Sequence, residues 1–404
     1  MLSWASQFNI FCFLDNQQYA DESHQYECLL ATGQKDYFSS SDLNALDAFL
    51  VSNPEWIFGH LSYDLKNILH HFSSFKTNRV GFPPLYFFIP QQVIVLTESN
   101  ISIYGDDPHA IYNTIIDVPA LQPQQIVFPQ IQHTLSRNEY ISKIRELQEH
   151  IIKGDCYEIN YCQEFYAEDC ILNPFSVYQK LVDISPNPFS AFYRVNDKYL
   201  LCASPERFLQ KTGNKIISQP IKGTIKRELL NKALDELLKV ELKESQKDRS
   251  ENVMVVDLVR NDLSKICTEN SVKVDELFAV YSFPQVHQMI STVSGQLQED
   301  VPFSRILEAC FPMGSMTGAP KHRVMQLIDT YEEQSRGIFS GSVGYFKPNG
   351  DFDFNVVIRS IMYNASEQYL SYQVGSGITF YSDPEKEWEE CLLKAAAIKA
   401  VLST

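Results

Sequence analysis

A few short stretches of the chain carry side chains whose type and spacing suit chemistry. Asp248 and Glu251 stand three residues apart, as do Glu387 and Glu390, and Lys394 lies one turn beyond the second pair. Residues three or four apart share a helix face, so each pair projects as one acidic patch. Oxygen-only ligands from two facing helices suit a hard divalent ion that keeps several waters, as Mg2+ does; the other reading is two solvated acidic faces. Glu206, in Ser204-Pro205-Glu206-Arg207-Phe208, follows the apolar run from Tyr199 to Ala203. Burial there would raise its pKa toward general-acid work; the alternative is an ion pair with Arg207 at a surface turn. Lys222, in Gln219-Pro220-Ile221-Lys222-Gly223-Thr224, sits between an isoleucine and a glycine. Desolvation at such a strand end favours a neutral, nucleophilic amine, against an exposed loop lysine.

Gly314-Ser315-Met316-Thr317-Gly318-Ala319-Pro320-Lys321 has the look of a phosphate loop, but its glycine spacing is wrong and Ala-Pro precedes the lysine. Nucleotide binding is rejected there, while a Gly-rich turn opening onto a helix from Pro320 to Tyr331 can still offer amides to a carboxylate. Gly375-Ser376-Gly377, after a strand, lacks the third glycine of a dinucleotide fingerprint yet allows close backbone approach to a small anion. Arg359, among the β-branched residues Val356-Val357-Ile358, either pairs with a carboxylate ligand or faces out from an edge.

The elements that must position these groups follow from periodicity. The first 120 residues alternate aromatic and β-branched runs (56–63, 85–89, 93–96, 101–104) with turns, which predicts antiparallel strands and one helix near 41–51. Prolines and glutamines without a period at 121–132 mark a connector, so the expected parts are a β-rich segment at 1–125 and a catalytic domain at 130–404. Ser136 with Glu139 forms a capping box for a helix to Lys153, with Tyr140, Ile144, Leu147 and Ile151 on one face and Gly154 as its stop. A long charge-rich helical region is expected at 228–263, a meander at 342–382 with one strand at 352–362 and another at 369–374, and a final helix at 384–402.

Composition bounds the function class. The 404 residues give two to three domains' worth of chain or one large intertwined one, at 44% apolar and 21% charged. The net charge of −16 repels nucleic acid and anionic membranes. Nine cysteines, odd in number and without a C-x-x-C pair, read as reduced thiols of a cytoplasmic protein. No N-terminal basic region precedes Lys35, which argues against a secretory signal, and the apolar stretch at 84–96 is too short and too interrupted to span a bilayer.

The stretches SPERF, QPIKGT, SENVMVVDLVRNDL, FPMGSMTGAPK, RGIFSGSVGY, VVIRS, VGSGI and SDPEKEWEECLLK occur in an order that resembles the chorismate-utilising enzymes, strongly over 130–402 and weakly before. The resemblance implies an α+β fold like that of anthranilate synthase component I, with antiparallel sheets forming a layered sandwich flanked by helices. It also implies Mg2+, with Glu251 and Glu390 as direct ligands and Asp248 and Glu387 acting through water. Arg359, the backbone at Gly375 and Gly377, Lys394, Thr224 and Gly318 are implied to hold the substrate.

Lysine at position 222, where other branches usually have alanine, points to the branch that aminates chorismate at C4, that of aminodeoxychorismate synthase component I. By that resemblance Lys222 attacks C2 as the 4-hydroxyl leaves, Glu206 serves as general acid and base, and ammonia then enters at C4 and expels the lysine. Ammonia is expected from a separate glutamine amidotransferase, since these residues carry no glutaminase signature.

Three departures from the family pattern bear on this. Gln288 stands where many relatives have histidine, and the adjacent His287 should face the other way; this weakens a pyruvate-eliminating reading. Phe339 replaces a common substrate-touching tyrosine. Glu158 occupies the place of the lysine base of isochorismate synthases, which argues against hydration chemistry. The tryptophan-feedback motif Leu-Leu-Glu-Ser is also absent from the N-terminal part. The alternatives are anthranilate synthase component I and a non-catalytic relative that binds an amidotransferase.

Overall fold

The computed structural model describes residues 1–19, 26–74, 76–119 and 130–403. Antiparallel pairing joins the described strands into two large sheets. The first runs in the order Gly318–Ala319, Glu158–Ala167, Tyr369–Ile378, Ser360–Asn364, Lys198–Ser204, Phe189–Val195, Ile10–Asp15, Cys28–Thr32, Gln92–Leu96, Ile101–Tyr104. The second runs Ile221–Lys226, Val286–Gln296, Lys215–Gln219, Arg207–Thr212, Phe352–Asn355, Ser342–Phe346, Ile57–Leu61, Leu85–Ile89, Asp36–Phe38.

Strands from before residue 119 enter both sheets: Ile10–Asp15 pairs with Phe189–Val195, and Ile57–Leu61 with Ser342–Phe346. The connector expected at 121–132 lies for the most part outside the described residues.

Successive side chains of a strand point to opposite faces, and that alternation builds the layers. Cys12, Leu200 and Cys202 join Phe58, Phe87 and Phe354 in a core between the sheets. Their neighbours Phe11, Phe13, Leu201 and Ala203 pack outward against helical residues including Tyr140, Ile144, Leu147 and Leu181. The result is the expected α+β sandwich flanked by helices.

The helix Arg137–Ile152 carries the expected reciprocal cap between Ser136 and Glu139, and Gly154 follows it at φ +83°. Elsewhere the chain departs from the expected outlines. The helical region at 228–263 is two helices, Lys232–Glu244 and Gln246–Ser264, divided at Ser245, whose hydroxyl caps the second by accepting from the Asp248 amide at 3.3 Å. The strand expected at 352–362 is two strands in different sheets, and the crossing between them ends at Arg359 with φ +53°. Gly375 and Gly377 lie inside the strand Tyr369–Ile378 rather than after a strand. The final helix breaks at Ala395. The N-terminal part holds a further helix, Pro108–Asp117, capped by Asp107.

Candidate active site

Lys222 and Glu158 meet where the two sheets converge. Lys222 follows Ile221 at the start of the strand Ile221–Lys226, and its Nζ donates to Glu158 Oε1 at 2.5 Å, with the two side chains 11% and 2% exposed. Backbone bridges between Gly318–Ala319 and Glu158–Ile159 fix the carboxylate's strand, and a Cβ on Gly318 would stand 2.1 Å from the Glu158 carbonyl oxygen. A Cβ on Gly377 would lie 2.7 Å from Glu158 Oε1 and 2.8 Å from Lys222 Nζ. These glycines make room for the ion pair and its strands. Burial pulls the Lys222 pKa down, but Glu158, Glu251 and Glu390 more than offset it and leave the ammonium favoured. The neutral amine expected from desolvation alone is therefore not the resting form, and the lysine is no exposed loop residue either.

Glu206 is 4% exposed, and Ser315 donates to its Oε1 at 2.6 Å. Burial pushes its pKa up to about 7, against smaller opposing effects of the Ser315 hydroxyl, the Lys222 charge and the Ile221 amide. The surface ion pair with Arg207 does not form. Arg207 is itself buried and turns to Asp353, at 3.0 and 3.1 Å, and to Gln219.

The helices Gln246–Ser264 and Pro384–Lys394 bring the two acidic pairs to one place. Lys247 Nζ stands 3.8 Å from Glu251, 3.7 Å from Glu387 and 3.9 Å from Glu390. Glu251 Oε1 and Glu387 Oε2 are buried without a hydrogen-bond partner among the described residues. Asp248 joins from below, its side chain 3.0 Å from where a Cβ on Gly223 would be. Burial raises the Glu251 carboxyl to about 7. The Lys394 ammonium, at 2.8 Å, holds Glu390 down at about 2.

These all-oxygen donors, two of whose buried oxygens have no hydrogen-bond partner among the described residues, fit a hard divalent ion. Among the described residues no three His, Cys, Asp or Glu groups are already gathered at ligand distance. The carboxylates are spaced around an ammonium instead.

Of the groups implied to hold substrate, the Arg359 guanidinium has no hydrogen-bonded or ion-paired partner among the described residues, and burial lowers its pKa against the opposing pull of Glu390. Lys394 reaches the Gly375 carbonyl at 2.8 Å as well as Glu390. Thr224 is exposed and lies opposite Gln288 in the sheet. Gln288 is buried with its Oε1 unpartnered among the described residues, while His287 turns away to Asp235 at 3.1 Å and Ser282 at 2.8 Å. Phe339 is packed into the inter-sheet core. Lys321 is occupied by Asp262 at 2.5 Å and the Cys310 carbonyl at 3.1 Å, in keeping with the rejected phosphate loop.

Sequence reasoning missed Ser315 as the partner of Glu206, Lys247 as the cation among the glutamates, and the pairing of Glu158 with Lys222. Only Lys247 carried a local signal, its spacing of four from Glu251.

A match to the chorismate binding enzyme family covers residues 10–400. The chain is 42% identical over 265 residues to the probable chloroplastic aminodeoxychorismate synthase of Oryza sativa subsp. japonica, covering 65% of this chain and 29% of the rice protein. It is 30% identical over 366 residues to the aminodeoxychorismate synthase component 1 of Bacillus subtilis, covering 85% of this chain and 76% of that protein. The chain thus spans less than a third of the rice relative and about three quarters of the bacterial one. The crystal structure of anthranilate synthase component I from Streptococcus pneumoniae superposes with a TM-score of 0.81 at 23% identity, over 95% of this chain and 93% of that one, which shows the shared fold. With the family match running through both sheets and every site residue named above, the chain belongs to the chorismate binding enzymes.

Proposed function

We propose that the chain converts chorismate and ammonia to 4-amino-4-deoxychorismate, on the way to 4-aminobenzoate and folate. The observation that carries this reading is a largely buried lysine, Lys222, whose charge acts on the buried Glu206, a carboxyl whose pKa of about 7 lets it give and take a proton near neutrality. Hydroxide is a poor leaving group, so a proton must arrive as the C4–O bond breaks. A covalent lysine adduct at C2 divides one hard displacement into two easier ones. Arg359, unpartnered and half-buried, suits a substrate carboxylate.

Glu251 and Glu390 would hold Mg2+ directly, with Asp248 and Glu387 through water; the ion would supply a positive clamp for the ring carboxylate. Ammonia would come from a separate glutamine amidotransferase. All nine cysteines are free and buried, which supports a reducing compartment such as the cytoplasm. Among the described residues no helix is long and apolar enough to cross a membrane.

The test is product analysis of the purified chain with chorismate, ammonium and Mg2+. An aminated product that retains the enolpyruvyl group is expected, and Lys222→Ala should lower its formation by about 10³-fold or more, within the range covalent and proton-transfer catalysis supply. Fluorescent anthranilate with pyruvate release, unchanged in Lys222→Ala, would assign the chain to the other branch.

A further inference from the structure

We propose that Glu158 is a further catalytic residue, which takes the ammonium proton of Lys222 as the amine attacks and returns it when the amine is expelled. This rests on the aminating function proposed above. Glu158 Oε1 accepts from Lys222 Nζ at 2.5 Å, whereas its Oε2 is buried with no hydrogen-bond partner among the described residues. A carboxylate built only to stabilise a buried lysine would gain most from having both oxygens satisfied, and buried ion pairs are in general poor stabilisers. One satisfied and one orphaned oxygen describe a group whose charge is held by Lys222 alone.

The fold gives this contact space at some cost in side chains, since a Cβ at residue 377 would fall 2.7 Å from Glu158 Oε1 and 2.8 Å from Lys222 Nζ. The other charged groups around Lys222 are Glu206, hydrogen-bonded to Ser315, Glu251 and Glu390 on the two acidic helices, and Asp248 beneath Gly223. Among the described residues, Glu158 alone is hydrogen-bonded to the lysine ammonium.

The steps balance. Glu158 takes one proton from the Lys222 ammonium. The free amine forms a bond to C2, the ring double bonds shift, the C4–O bond breaks, and the oxygen leaves as water with the proton of Glu206. Ammonia then bonds to C4, the double bonds shift back, and the C2–N bond breaks to release Lys222 as a neutral amine. Glu158 returns its proton to that amine, and the new C4 ammonium gives one to Glu206. Both glutamates and the lysine end as they began, with chorismate and ammonia converted to product and water.

The experiment compares the wild-type chain with Glu158→Gln and Glu158→Asp, each checked for unchanged thermal melting. Turnover with ammonium and Mg2+ at pH 7 should fall about 10²-fold or more in Glu158→Gln, with chorismate KM within about threefold and partial recovery in Glu158→Asp. In Glu158→Gln the lysine must lose its proton to solvent, so at constant free ammonia its rate should climb with pH about tenfold per unit up to about pH 7, where Glu206 begins to lose its proton, while the wild type shows no such climb. A loss that is equal at every pH, or retention of more than a third of wild-type turnover, overturns the role.

A second readout does not need turnover: acylation of Lys222 by a small amine-reactive ester, followed by peptide mass spectrometry. Labelling should rise at least several-fold in Glu158→Gln, because the proton is no longer held. Equal labelling overturns the inference even if the aminated product forms; absence of that product in the wild type overturns the functional reading instead.

Discussion

Two glutamates that feel the charge of Lys222, Glu206 and Glu390, are driven in opposite directions. Glu206 sits on the turn between two strands, 4% exposed, with a neutral hydroxyl from Ser315 donating to it, and burial lifts its pKa to about 7. Glu390 sits on a helix with the Lys394 ammonium one turn on, and that charge holds it near 2. Residue type is the same; partner and solvent decide the role. A carboxyl near 7 carries protons at neutral pH, while one near 2 is a permanent anion, suited to holding a cation. The difference is set by burial in one place and by an adjacent ammonium in the other.

The largest effect expected from breaking this comparison is at the proton carrier. Glu206→Gln keeps the shape and the hydrogen bond to Ser315 but has no proton to transfer, so amination should fall about 10³-fold, within the range of general acid–base catalysis. Chorismate KM should move little, because a change confined to kcat marks an interaction made in the transition state. A variant that keeps a tenth of wild-type turnover would remove Glu206 from the proton path.

Glu390→Gln should leave the proton carrier intact and cost cation affinity instead. Losing one direct anionic ligand, and freeing Lys394 to compete as a positive charge, should weaken Mn2+ binding by about 10²-fold or more, since even the outer partners of a metal ligand contribute about 10–100-fold. Paramagnetic resonance or calorimetry of the chain reads this without turnover. Unchanged affinity would reduce Glu390 to a partner of Lys394 and remove it from the proposed cation site.

How much of this was readable from sequence follows from the length scale of each feature. Spacing of three placed Asp248 with Glu251 and Glu387 with Glu390, and the capping box placed the helix that ends before Gly154, because both are contacts within one turn. The partner of Glu206 is 109 residues away, and that of Lys222 is 64 away, on other elements. No local pattern encodes those meetings, so desolvation of Lys222 was legible and the carboxylate that reverses its effect was not.

The run Val356-Val357-Ile358 reads as continuous strand because it is apolar and β-branched throughout. The chain changes sheet there, between two buried surfaces that ask for the same residue types. The helix break at Ser245 was within reach, since a serine ahead of Asp248 is a cap signal.

The finest test of the comparison leaves both glutamates in place and removes the serine. The Ser315 hydroxyl donates to Glu206 and so favours its charged form, which places the pKa lower than burial alone would set it. A hydrogen bond to a charged group is worth about 1.5–3 kcal/mol, and about 1.4 kcal/mol is one pKa unit, so Ser315→Ala should raise the Glu206 pKa by at least about one unit. Because the acid form is the active one, amination in the wild type should decline as pH rises through about 7, and in Ser315→Ala that decline should begin about one unit higher. Far up the alkaline limb the variant should therefore outpace the wild type about tenfold, while the two differ little at pH 6. The stability sign runs the same way: a carboxyl raised above its unfolded value opposes folding increasingly as pH climbs from about 4.5 to its folded pKa. The variant's melting temperature should thus fall with pH over a window extended by the same unit. An alkaline limb that stays where it was would mean that the serine does not set the Glu206 proton, and that burial alone separates the two glutamates.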